Sequence, residues 1–126
     1  MKKMFLLFSH TLTDEQKEDA MKNLKVSEFV SLPDELQQIW SNISPYEKTI
    51  EHFLEPIKDF LNKEAKKEDV VLIQGDFGAT FLMVLFAKQK SLTPVYATTQ
   101  RKVVETKQES KIIKKSVFSH VQFRSY

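Results

Sequence analysis

Val70-Val71-Leu72-Ile73 runs through Gln74-Gly75-Asp76-Phe77-Gly78-Ala79-Thr80 into the unbroken apolar stretch Phe81 to Ala87. Four consecutive apolar residues, three of them β-branched, ahead of a glycine turn read as a strand covered on both faces. The stretch from Ala79 to Ala87, apolar all round apart from Thr80, reads as a helix buried on more than one side. In a chain of 126 residues, which is one domain's worth, the second cover is expected from another subunit. Gly75 and Gly78 are the only glycines, where average usage of about 7% would give roughly nine. Glycine is needed for positive φ or for close approach to the backbone. The pair therefore marks either a tight strand-to-helix turn or a ligand site, and its place at that junction favours the ligand.

Strand and helix signals alternate along the rest of the chain. Met4 to Phe8 reads as a short buried strand, followed by a Ser9-His10-Thr11-Leu12 loop. Thr13-Asp14-Glu15-Gln16 matches a capping box, opening a helix to about Asn23 that buries Ala20, Met21 and Leu24. Val26 to Leu32 is a second strand. Pro33 takes a first helical position, and Leu36, Ile39, Trp40 and Ile43 form the apolar stripe that follows, with Trp40 as core. Ser44-Pro45-Tyr46-Glu47 matches another capping box, before a helix burying Ile50, Phe53, Leu54, Ile57 and Leu61 and kinked at Pro56.

Thr93 to Ala97 reads as a strand ending in a Thr98-Thr99-Gln100-Arg101 loop. Lys102 to Thr106 and Ile112 to Phe123 read as two more strands, joined near Gln108-Glu109-Ser110. The pattern predicts one α/β domain over residues 1–126, a compact Rossmann-like sandwich with a mainly parallel central sheet and a C-terminal antiparallel hairpin.

Composition removes several classes of function. Without cysteine there is no disulfide framework and no Cys-ligated zinc or iron–sulfur centre. The apolar run around Phe77 to Ala87 is shorter than the roughly 20 residues of a membrane span. Met4 to Phe8 is shorter than the 7–15 residues, approximately, of a secretory core, so a cytoplasmic, soluble chain is expected. Charge is uneven: residues 1–65 hold 8 Lys/Arg against 12 Asp/Glu, and residues 66–126 hold 11 against 5. The second half is either a solvated basic hairpin or a positive field for a phosphate-bearing ligand.

In an open parallel sheet, ligands bind beyond the carboxyl ends of the strands. Three such ends are polar: Ser9, His10 and Thr11; Gln74, Gly75, Asp76, Gly78 and Thr80; and Thr98, Thr99 and Arg101. Hydroxyls, amides, a histidine and an arginine around a helix N-terminus suit phosphates and ribose hydroxyls. Each has a plain structural alternative: His10 bonded to a loop carbonyl, Asp76 as a helix cap, Arg101 as a surface charge. His52 and His120 read as surface or strand-face residues. G-x-G-x-x-G, the P-loop, H-E-x-x-H and G-x-S-x-G are all absent, and the three histidines are scattered. Neither a metal nor a cofactor is expected.

Leu7-Phe8-Ser9-His10-Thr11-Leu12-Thr13, Val71 to Thr80, Tyr96-Ala97-Thr98-Thr99-Gln100-Arg101 and the closing Phe118 to Tyr126 resemble a family of small CRISPR-associated proteins found beside type III systems. The resemblance spans nearly the whole chain, and the middle motif is its most specific part. It implies a compact relative of the CARF (CRISPR-associated Rossmann fold) domains, acting as a homodimer. Such domains bind cyclic oligoadenylates, the second messengers of type III antiviral defence, and several small members are ring nucleases that end the signal. It places Ser9, His10, Thr11, Gln74, Gly75, Asp76, Gly78, Thr80, Thr98, Thr99 and Arg101 around the pocket. It does not fix the catalytic group, because ring nucleases share no single motif.

These readings lead to metal-independent cleavage, with cyclic tetra-adenylate favoured because a two-fold ring suits a two-fold dimer. A ribose 2′-oxygen attacks the adjacent phosphorus, with His10 moving the proton, and Arg101 and Ser9 completing the catalytic set. Neither a membrane nor a long nucleic acid is expected as partner. The first alternative is a sensor or sponge that binds the messenger without cutting it. A histidine phosphocarrier and an RNA-binding hairpin protein are the others.

Overall fold

A computed structural model describes all residues, 1–126. The elements are β1 (Lys2–Leu7), α1 (Asp14–Asn23), β2 (Val26–Ser31), α2 (Asp34–Ser41), α3 (Glu51–Glu64), β3 (Val70–Ile73), α4 (Phe77–Gln89), β4 (Thr93–Gln108) and β5 (Lys111–Ser125). They build one five-stranded sheet in the order β2-β1-β3-β4-β5. The first four strands pair in parallel, and β5 returns antiparallel to β4. This is the α/β sandwich that the alternation of strand and helix signals predicts.

Strand alternation divides the core in two. Met4, Val70, Leu72, Val95 and Phe123 point to the face carrying α1, where they meet Leu12 and Ala20. Phe5, Leu7, Val71 and Ile73 point the other way, into Trp40 of α2, Leu54, Ile57 and Leu61 of α3, and Met83 and Phe86 of α4. All four residues of β3 are buried, as a centrally placed strand requires. From β1 the chain moves to one side through α1, then crosses to the other side of β1 through α2 and α3. The strand order therefore reverses between β1 and β3, the switch point of a doubly wound sheet.

Several local expectations change. The Thr13 capping box forms in full: the Gln16 amide donates to Thr13 Oγ1 at 3.1 Å, and the Thr13 amide donates to Gln16 Oε1 at 2.9 Å. The Ser44 box does not form, because Ser44 Oγ accepts from the Tyr46 amide instead, a short-range bond that competes with capping. The long helix begins only at Glu51, and Pro56 lies inside it. Pro33 is the N-cap of α2 rather than its first helical residue. Met21 is 47% exposed, since α1 seats Gln16 and Ala20 on the sheet and turns the next position outward.

The largest change lies at the end of β4. The predicted strands Thr93–Ala97 and Lys102–Thr106 are one strand, and Thr98–Arg101 belong to it rather than to a loop. No glycine or proline interrupts Thr98 to Gln108, and its threonines and valines suit extended backbone. Pairing with β5 continues to Gln108↔Lys111, with an irregularity between Thr98 and Thr99. Every residue from Thr99 to Phe118 is exposed. Beyond the carboxyl edge of the sheet, β4 and β5 therefore form a two-stranded arm about 30 Å long at roughly 3.4 Å per residue.

Candidate functional site

A cavity of about 520 Å³ opens at the carboxyl ends of β1 and β2. Ser9, His10 and Thr11 form one wall, where β1 stops and the chain loops toward Thr13. Phe8 and Phe29 supply apolar surface, and the rings of Phe8 and His10 meet edge to face at 5.4 Å. Lys17 of α1, Ser31 of β2 and Asp34, Gln37 and Ser41 of α2 complete the polar lining. The volume lies within the roughly 300–1,000 Å³ of small-molecule sites.

A hydrogen-bond chain holds this wall. Gln37 Nε2 donates to the Phe8 carbonyl at 3.1 Å and to Ser41 Oγ at 3.0 Å, and Ser41 Oγ lies 2.9 Å from Ser9 Oγ. Gln37 and Ser41 are four residues apart and so share one face of α2. The set can grip a phosphate through Lys17 and the hydroxyls, and His10 can move a proton. Sequence reasoning missed Lys17, Gln37 and Ser41 because it weighed α1 and α2 for their apolar faces. The i, i+4 spacing of Gln37 and Ser41 beside the apolar stripe was the available signal.

The other candidates lie elsewhere. Gln74 Oε1 accepts from the Ala97 amide at 2.7 Å, and the Gln74 carbonyl accepts from Trp40 Nε1 at 3.2 Å, so this residue stitches β3 to β4 and α2. Gly75 answers the glycine question: a Cβ there would come within 2.9–3.0 Å of the Trp40 indole. The close approach is made by the protein's own tryptophan, and neither glycine has positive φ. Asp76 caps α4, its Oδ2 accepting from the Ala79 amide at 3.0 Å. Gly78 faces Ile50, and the Thr80 hydroxyl is buried with no partner.

Thr98 exchanges hydrogen bonds with the backbone of Gln122, at the strand irregularity. Thr99 pairs with His120 in the arm's root. Arg101 donates to Ser116 Oγ through Nε and Nη2, on the exposed arm. It stands four residues beyond Ala97, about 13 Å at strand rise, on a strand about 10 Å from β1 across the sheet. Ser9, His10 and Thr11 line the cavity, whereas Gln74, Gly75, Asp76, Gly78, Thr80, Thr98, Thr99 and Arg101 stand outside its lining.

One further polar cluster fixes β5 to the body. His120 Nε2 lies 2.7 Å from Asp19 Oδ2, with side chains 5% and 15% exposed. Burial pushes the Asp19 carboxyl up, but hydrogen bonds with Asn23 and His120, the electrostatic pull of His120 and the Phe123 amide together hold it below its ordinary value. Tyr126 hydroxyl donates to the Ile73 carbonyl, and burial, with Tyr96 beside it, raises its pKa. No helix is long and apolar enough to cross a membrane.

No solved structure matches this chain. An uncharacterized protein, MJ1673, of Methanocaldococcus jannaschii is 57% identical over 126 residues, covering 100% of this chain and 98% of its own length. Residues 2–124 match the family described as "Uncharacterized protein MJ1673 family". With both matches spanning almost its full length, the chain belongs to the MJ1673 family.

Proposed function

We propose that this protein is a cytoplasmic, metal-independent ring nuclease that binds and linearises a cyclic oligoadenylate, cyclic tetra-adenylate by preference, and so ends type III CRISPR signalling. The observation that carries the reading is His10 beside Ser9 and Thr11 in a cavity at the carboxyl end of β1, with Lys17 in the same lining. The resemblance of Leu7–Thr13, Val71–Thr80 and Tyr96–Arg101 to the small CRISPR-associated family supports the choice of ligand.

The chemistry is an in-line transesterification. The cavity grips one phosphodiester, and the ribose 2′-oxygen attacks the adjacent phosphorus. The P–O5′ bond breaks, leaving a 2′,3′-cyclic phosphate on one side and a 5′-hydroxyl on the other. Holding the two reacting groups in line lowers the barrier by converting a rare conformer into the bound one. His10 takes the 2′-proton or protonates the departing 5′-oxygen. Lys17 sits where its ammonium can offset charge on the non-bridging oxygens. Ser9, held by Ser41, donates to the same phosphate.

Incubation with excess cyclic tetra-adenylate in EDTA, with chromatography of products over time, tests the proposal. Linear diadenylate with cyclic phosphate ends, beyond one equivalent, is the expected result, and His10→Ala should reduce turnover by about 10²–10⁴-fold. A ring that stays intact and co-elutes with the protein makes the chain a sensor or sponge. A ring that neither binds nor breaks, with the cyclic hexamer behaving likewise, overturns the assignment.

A further inference from the structure

We propose that the β4–β5 arm is a clasp for a second copy of this chain, and that it lies across the α3–α4 face of that copy. The arm is the least self-sufficient part of the molecule. A two-stranded ribbon alone is marginal in water, and this one carries Val103, Val104, Ile112, Ile113, Val117 and Phe118 all exposed. Cross-strand pairing puts Val103, Ile112 and Phe118 on one face, together with Arg101, Lys107, Ser116 and the Lys114–Glu105 ion pair. That face is apolar and basic at once. Phe118 and Ile112 are 67% and 64% exposed, which no monomer gains by keeping wet.

The body of the chain offers the complementary surface. On α4, Phe77, Phe81 and Leu85 recur at every fourth residue and form an outward apolar stripe, with Phe77 96% exposed. On α3, which packs beside α4, Glu51, Glu55 and Asp59 recur at the same interval and are exposed. An apolar row and an acidic row, the latter interrupted by the Lys58–Glu55 ion pair, thus lie on neighbouring helices. Every arm residue from Thr99 to Phe118 is exposed and so unpacked against its own helices, and a second copy can bring these surfaces together. Across residues 99–118, six Lys/Arg stand against two Glu. The first 65 residues have the opposite balance, 8 against 12. Like charge would oppose an arm-to-arm contact, and opposite charge steers the arm to the helical face. Applied by a two-fold axis, each arm grips the other copy's α4, a closed and self-complementary arrangement. The clasp rests on these surfaces alone and does not depend on the nuclease reading.

The test uses complementation between two surface variants. Light scattering during gel filtration should show the full chain at twice its single-chain mass. Phe118→Asp disables the arm, and Phe81→Asp disables the helix face. Each alone should weaken the dimer by at least tenfold while leaving the circular dichroism spectrum unchanged. Mixed one to one, the pair should recover a heterodimer, because one intact arm then meets one intact α4.

If Phe118→Asp leaves the dimer intact, the contact is helix to helix and the clasp is wrong. If Phe81→Asp leaves it intact, the arms pair with each other and the clasp is again wrong. A monomeric full chain at high protein concentration also overturns it, and retention of that monomer on an RNA column would reassign the arm. Should either aspartate variant fold poorly, Phe81→Cys and Phe118→Cys replace them. The chain has no cysteine of its own, so a mixed disulfide between the two preparations reports the 81–118 contact directly.

Discussion

The two glycines separate a structural requirement from a functional one. At Gly75 any side chain would enter the space of the Trp40 indole, a buried ring held by its own hydrogen bond to the Gln74 carbonyl. Gly75→Ala should therefore cost about 1–3 kcal/mol, the usual penalty for overpacking, read as a lower denaturation midpoint. Gly78 has room, since the nearest atom to its missing Cβ is Ile50 Cδ1 at 3.4 Å, and it occupies the first turn of α4. Alanine there should leave stability unchanged or raise it by up to about 1 kcal/mol. If Gly78→Ala instead destabilises as much as Gly75→Ala, the packing explanation for the pair fails. The sequence left a tight turn and a close approach to this backbone as the two readings of the pair. It did not show that Trp40, thirty-five positions earlier, makes that approach, because close approach between distant residues is a tertiary fact.

At the level of elements, legibility followed the range of the interaction. The Thr13 box could be read because both of its bonds close within four residues. The Ser44 box fits the same pattern but makes only the short bond from the Tyr46 amide, because α3 begins later, where Leu54, Ile57 and Leu61 meet the core. The Thr98–Arg101 loop was misread for a related reason: a strand continues as long as a partner continues, and β5 lies beyond a later turn. That turn was visible, and Glu109 and Ser110 adopt φ of 44° and 68° as a two-residue hairpin connection demands.

The Asp19–His120 contact between α1 and β5 had no local signal at all, being 101 positions apart. It makes a pH prediction. The Asp19 carboxyl is held below its ordinary value of 3.8 in the fold, so the unfolded chain binds the proton more readily. The stability this contributes is present above that ordinary value and is lost as pH falls below it, through the lower folded value. Asp19→Asn should cost about 1.5–3 kcal/mol at neutral pH, the usual worth of a hydrogen bond to a charged group. Urea melts of both proteins from pH 6 down to pH 2.5 should show the gap closing below about pH 4. A gap that stays constant across that range would mean the carboxylate charge is irrelevant to the contact.

Across the whole molecule, the division of charge between halves and the division of the site between elements point the same way. The cavity of one chain takes Ser9, His10, Thr11 and Lys17 but lies on the β1–β2 side of the sheet, while the β4–β5 arm carries six Lys/Arg against two Glu. A ring of four phosphates needs more cationic partners than one cavity provides, and a two-fold ring can be shared by two cavities related by the dimer axis. On the ring-nuclease and clasp readings together, the ligand links the two copies, and linkage then requires that it tighten the dimer it bridges.

Native mass spectrometry with His10→Ala, which should keep the ring intact, ought to show one cyclic tetra-adenylate per two chains. Ligand at 100 times its Kd should stabilise the fold by about 2.7 kcal/mol. It should also suppress subunit exchange between light and isotope-labelled copies. One ring per chain, with subunit exchange unaffected, would place the whole ligand in a single cavity. The arm would then serve assembly alone, and Lys17 would remain as the phosphate ligand of a site complete within one copy.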